Sequence, residues 1–420
     1  YQYSYGNKLT SGMVSTLSNE ALTWETTTST DVGLELGVFN NRLTFETDFY
    51  NKVTDGILYK APVYATIGNK GAPYQNLCEV TNRGVELSLG WKDDVKGFHY
   101  GVRGNFTYNH NAVSKYKGAL EAGWVTDENG HRSYVSNIGD VTTVVDGARR
   151  VMEGKLINEH YLLNLYSGDG SHFFADGSVN PNGGPKDGMI RTPEDMAWLE
   201  AMVNAGNTFL PNKTIDKKGI WYGDYIYSDV NGDGVYGDAN DYMFQGTSQT
   251  PKFYYGLQFE LGWKGIDFSM LWNGAGGSAA YWRYVGFNAY STLSKFTLPK
   301  KIAYDHYFYD PMNPEDPRTN ITSKHGRLTM NYGSEQNGAN AYSTLFLYKT
   351  DYLRLKNVTL GYTFPEKWMR KAHISNLRVF FSGENLLTFT EWPGMDPEIT
   401  DKQNYYALLR QYSFGLSIKF

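Results

Sequence analysis

The chain has 420 residues and a formal net charge of −5, enough for one large barrel or two to three ordinary domains. That mild charge supplies no basic patch for nucleic acid, and no run of roughly 18 apolar residues exists to form a helical membrane span. A lone cysteine, Cys78, excludes an intramolecular disulfide and reads as a half-buried residue in a loop or strand end, while tyrosine (34) and glycine (45) are abundant.

In chain order, nine segments alternate apolar and polar residues with the period of a strand, whose successive side chains point to opposite faces. The first is Asp31–Phe39, with Val32, Leu34, Leu36 and Val38 on its oily side. A tight Asn40-Asn41 turn leads to Arg42–Val53, where Leu43, Phe45, Thr47 and Phe49 oppose Arg42, Thr44, Glu46 and Asp48. Arg83–Lys92 follows, then a turn at Asp93–Gly97 and Phe98–Asn109. Phe253–Trp263 and Ile266–Trp272 flank Lys264-Gly265, a hairpin signal. Tyr352–Phe364, Leu377–Leu387 and the terminal segment ending in Ile418 and Phe420 complete the set.

Nearly every apolar face carries aromatics, and Tyr and Trp collect where apolar meets polar. The pattern predicts an all-β fold, a transmembrane antiparallel β-barrel with lipid outside and a polar lumen holding Arg42, Glu46, Asp48, Glu86 and Arg103. Short turns alternate with long connections, so the long ones are expected outside the cell. The largest, at about 110–252, is expected to hold a helix at Pro193–Ala205 and short strands around Leu156–Tyr166. Nine strands are an odd number for a bacterial barrel, so residues 1–420 are expected to be its carboxy-terminal part, lacking the first strands and any amino-terminal plug. No charged-and-apolar leader opens the sequence, so the expectation is that processing removed one or that this is part of a longer chain.

Several segments resemble the SusC/RagA family of TonB-dependent outer-membrane transporters of Bacteroidetes. They are Leu22-Thr23-Trp24-Glu25, Asn82-Arg83-Gly84-Val85-Glu86, Asp229-Val230-Asn231-Gly232-Asp233-Gly234, Tyr352-Leu353-Arg354-Leu355-Lys356-Asn357-Val358, Asn385-Leu386-Leu387-Thr388, Gly394-Met395-Asp396-Pro397-Glu398 and terminal Phe420. The resemblance implies a plugged barrel of about 22 strands in the bacterial outer membrane. It also implies energy from a TonB-ExbB-ExbD complex, a SusD-like lipoprotein partner, and import of glycans or oligopeptides without breaking a bond in them. A passive porin and a secreted or surface calcium-dependent carbohydrate-binding protein are the alternatives.

Asp229-x-Asn231-x-Asp233-Gly234-Val235 is the first half of an EF-hand-type calcium loop, with Asp238 and Asp241 as further oxygens. Position twelve is Asn240 rather than Glu, so the expected Ca2+ site is a weak one, and its bland reading is an Asx-rich turn. Asn273-Gly274-Ala275-Gly276-Gly277-Ser278-Ala279 is formally a dinucleotide fingerprint, but no buried parallel strand precedes it, so a flexible loop base is expected. The histidines form no HExxH, no GxSxG occurs, and no carboxylate pair has an acid/base context, so no catalytic residues are expected. Trp124, Trp198, Trp221, Tyr222 and Trp282, with Tyr225, Tyr227 and Trp392, lie in the expected external regions and are candidates to line a substrate vestibule.

Overall fold

The computed structural model describes residues 2–5, 8–11, 19–60, 73–282, 300–328, 336–337, 341–400, 406 and 408–420. Nine long strands build one sheet: β1 Thr26–Val38, β2 Leu43–Lys60, β3 Tyr74–Val95, β4 Phe98–Lys115, β5 Phe253–Trp263, β6 Ile266–Gly276, β7 Tyr352–Thr363, β8 Asn376–Thr390 and β9 Gln411–Lys419. Each is antiparallel to the strand before it, so the sheet is an up-and-down meander in chain order.

Register carries the two-sidedness from strand to strand. One row runs Val32, Phe49, Val85, Tyr108 and Phe253; another runs Leu36, Phe45, Leu89, Gly104, Leu257 and Trp272. At the far edge Leu360, Phe381 and Phe414 pair across β7, β8 and β9. Because side chains alternate, a slip of one residue anywhere would mix the faces, and none occurs across the apolar band from β1 to β6. Phe98, Val102, Leu416, Ile418 and Phe414 are exposed, the last at 84%, so this face is no dry interior between stacked sheets. From Phe98 to Tyr108 is ten steps of about 3.3 Å, and at a tilt of about 40° they rise roughly 25 Å, the height of a lipid-facing band.

Turn chemistry explains the short connections. Phe39, Asn40 and Asn41 have φ of 54°, 58° and 61°, a left-handed path that Asn tolerates through local hydrogen bonding. Lys264 and Gly265, at 48° and 88°, form the two-residue hairpin anticipated from sequence. Lys96-Gly97 does the same between β3 and β4, so that turn is shorter than the expected Asp93–Gly97. Two glycines make room for rings on the neighbouring strand. A Cβ on Gly84 would lie 2.3 Å from the Tyr50 ring and 2.4 Å from the Tyr108 carbonyl, and one on Gly415 would lie 2.1 Å from the Phe380 ring.

The strands reach further than alternation alone indicated. β3 has 22 residues where about 9–11 span a membrane, and β4 runs on to Lys115 rather than ending at Asn109. Cys78 is therefore buried within a strand, not half-buried at a strand end. The supposed loop base Asn273–Gly276 also continues β6. Of that segment's sequel, Arg283 and Tyr284 lie outside the described residues, as does the connection at 61–72 after β2.

The long excursion after β4 folds into a body of its own. Its core gathers Tyr166, Ile190, Trp198, Leu199, Phe209 and Ile226, and Tyr307 joins from the later excursion after β6. The two excursions are tied by Arg327 to Asp224 at 2.9 Å, by the Tyr225 hydroxyl donating to the Lys324 carbonyl, and by Arg191 donating to the carbonyls of Ile321 and Ser323. Helix α1, Pro193–Asn204, begins with a capping box: Thr192 Oγ1 accepts from the Asp195 N–H and the Asp195 carboxylate accepts from the Thr192 N–H. The expected strand near Leu156–Tyr166 is Glu159–Leu163, every residue of it buried.

Candidate functional site

Where the excursion meets the wall, the inner face changes character. At membrane level it carries Glu46, Asp48, Glu86, Asn105 and Arg103; higher up, the same parity places Cys78, Val80 and Val113 there, packed on Val151 of the excursion. The Val113 N–H donates to the Lys155 carbonyl and the Gly154 N–H to the Val113 carbonyl, both at 2.8 Å. The excursion is thus seated on the inner side of the mouth, above a charged lumen wall.

At membrane level that wall is mostly polar, with Leu271 an apolar exception. Arg103 donates to Glu46 Oε2 at 3.2 Å and to Ser88 Oγ at 3.2 Å, and these residues line a hollow of about 370 Å³ with Asp48, Glu86 and Thr107. Glu35 stands directly opposite Glu46 and Asp48 opposite Glu86. Facing carboxylates repel, an arrangement tolerable against water and costly against hydrocarbon.

The Asp229–Asp241 segment folds as two linked turns. Asp229 Oδ1 accepts from Gly232 and Asp233 N–H and its Oδ2 from Gly234 N–H; Asp233 Oδ1 accepts from Val235 N–H. Asn231 Oδ1 accepts from Asp233 N–H, and Asp238 Oδ1 from Asn240 N–H. Asp241 closes the segment, taking N–H bonds from Val230, Gly237 and Asp238 at 2.6, 2.8 and 3.0 Å. Burial raises its carboxyl above the ordinary value, with those three N–H groups pulling the other way. The bland Asx-turn reading accounts for these bonds, and among the described residues no three His, Cys, Asp or Glu side chains converge as a metal centre.

The candidate aromatics separate by environment. Trp198 is 0% exposed and donates its Nε1–H to the Asn180 carbonyl, while Tyr222, Tyr225 and Tyr227 are buried too. Trp198, Tyr222 and Tyr225 pack in the apolar cluster around α1, and Tyr227 packs in a second cluster with Leu163 and Ala341, so these four hold the external body together rather than lining a vestibule. Trp392 is likewise buried, against Trp282 at 5.2 Å between ring centroids. Trp282 and Trp221 are half-buried. Trp124 is exposed on the hairpin Ala122–Ser136 and donates to the Asn231 carbonyl at 2.9 Å, joining that hairpin to the Asp229 turn.

One constellation escaped the sequence reading as a site. Arg354, 1% exposed on the inner face of β7, donates to both oxygens of Asp396 and to Glu398, and the Tyr352 hydroxyl donates to Glu398 at 2.8 Å. Two segments quoted above only as family signatures thereby meet, and the connection after β8 is drawn into the mouth. The available signal was a lone Arg between Leu353 and Leu355, with two carboxylates beyond the next strand. Elsewhere His160 is fully buried and neutral, its Nδ1 at 2.9 Å from the Thr247 carbonyl, and burial depresses its pKa to about 4.

Comparison with known proteins agrees with this geometry. The family described as "TonB dependent receptor-like, beta-barrel" matches residues 1–180. Over that stretch the chain is similar to TonB-dependent receptor β-barrels. "TonB-dependent receptor P3" of Formosa agariphila is 24% identical, with 99% of this chain and 36% of that protein covered. "TonB-dependent receptor SusC" of Bacteroides thetaiotaomicron is 23% identical, with 100% and 34% covered. Among solved structures, the RagAB peptide importer in its open-open state aligns with a TM-score of 0.66 at 21% identity, covering 100% of this chain and 37% of that one. The receptor β-barrel lies in the bacterial outer membrane, its apolar face toward lipid. The chain spans about a third of the length of the relatives it matches.

Proposed function

We propose that this chain forms the mouth and part of the wall of a receptor that imports oligomeric nutrients, glycans or oligopeptides, across the outer membrane. The carrying observation is the seating of a folded external body on the inner side of the mouth, above a lumen wall of Glu46, Asp48, Glu86 and Arg103. Solute captured outside meets polar groups along its path and no catalytic grouping is needed, so the substrate leaves intact. A SusD-like lipoprotein holds the nutrient from outside, and work from TonB-ExbB-ExbD, delivered through a plug, opens the path. The names of the similar receptors support this reading, as does the solved fold it shares.

Uptake of labelled oligosaccharides and oligopeptides by cells carrying the full receptor tests the reading. Import should stop on loss of TonB. Import that persists without TonB would instead mark a passive pore. We keep a calcium ion at Asp229, Asn231, Asp233, Val235, Asp238 and Asp241 as part of the proposal, because oxygen-bearing side chains alternate along the sequence there around Gly232 and Gly234. Calorimetric titration of metal-stripped receptor with calcium should show a binding event that Asp229→Ala removes. Its absence would end the cation part and leave the importer standing.

A further inference from the structure

We infer that the lipid-facing wall carries a site for the phosphate of an outer-leaflet lipid headgroup, built on Arg83 and His110. The register places it. Thr30, Asn51, Arg83 and His110 pair in one row across β1 to β4. That row lies two residues beyond the apolar row Val32, Phe49, Val85 and Tyr108, on the same outward face. Two residues of strand are about 7 Å, so the row sits where hydrocarbon gives way to headgroups.

Arg83 and His110 are both exposed, and neither enters an ion pair among the described residues. The Arg83 Nε donates to Asn51 Oδ1 at 2.9 Å, which fixes the plane of the guanidinium at the level of this row. The nearest outward carboxylate further along β3, Glu79, is engaged by Lys115 and Ser114, so it does not compete for Arg83. A planar fork of donors with an imidazole directly opposite fits the oxygens of a phosphate monoester or diester. Position favours lipid, since a molecule whose tails lie along Phe49 and Val85 brings its phosphate to this height.

The test is native mass spectrometry of the full receptor in detergent, titrated with phosphatidylglycerol and, separately, with phosphatidylcholine and inorganic phosphate. Phosphatidylglycerol should bind with retention weakened about tenfold in Arg83→Gln/His110→Gln, and be unchanged in Arg103→Gln on the inner face. Phosphatidylcholine and inorganic phosphate should bind the wild-type receptor more weakly. Equal retention by the double variant, or equal loss in Arg103→Gln, would overturn the site. Competition by inorganic phosphate as strong as by the lipid would overturn the lipid assignment. Unchanged heat-modifiable migration of the variants on gels establishes that they are folded.

Discussion

His160 shows how burial turns a titratable side chain into a stability term. Its folded pKa, about 4, lies below the ordinary 6.5, so protons favour the unfolded chain. Its contribution is fully present above about pH 6.5 and is lost as pH falls toward 4, amounting to about 3 kcal/mol across that window. Chemical denaturation of the external body should show this loss, and His160→Gln should flatten it; an unchanged slope would contradict the assignment. Arg354 is a second such residue. Truncation to alanine strands Asp396 in a buried position, and we expect a cost of about 3–5 kcal/mol, visible as protease sensitivity of the connection after β8. Gly84→Ala should also destabilise the wall, because the Tyr108 carbonyl in its way is backbone and cannot swing aside as the Tyr50 ring can.

At the level of elements, α1 and the hairpins were legible because their signals are local. Thr192, Pro193 and Asp195 sit within one turn, and Thr192→Ala should cost about 1 kcal/mol in urea unfolding of the external body. Lys264-Gly265 fixed its hairpin to the residue. Strand length was not legible: β3 continues through Cys78 and Val80, where the alternation loses its polar partner because the excursion covers the inner face. For the same reason Trp198 and Tyr222 could not be told from vestibule aromatics. An apolar ring in a Gly- and Asn-rich segment looks alike whether solvent or Met196 and Leu199 lie against it.

For the whole molecule, the decisive property is that one face meets lipid and the other water. Phe259 and Gln258 are adjacent in β5, near mid-height, and point to opposite faces. Phe259→Lys should cost about 2–4 kcal/mol and reduce assembly into the membrane, measured by heat-modifiable migration, while Gln258→Lys should be tolerated. Comparable losses in both would refute the sidedness. By itself the sequence determined the nine strands, their order, their two faces and the short turns, because period-two alternation and turn residues act between near neighbours. Only the tertiary structure decided that two excursions fold together through Asp224 and Arg327, that Arg354 finds Asp396, and that Arg83 stands between Asn51 and His110. Those contacts join residues far apart in the chain, and their partners are chosen by burial and register, which no local pattern records.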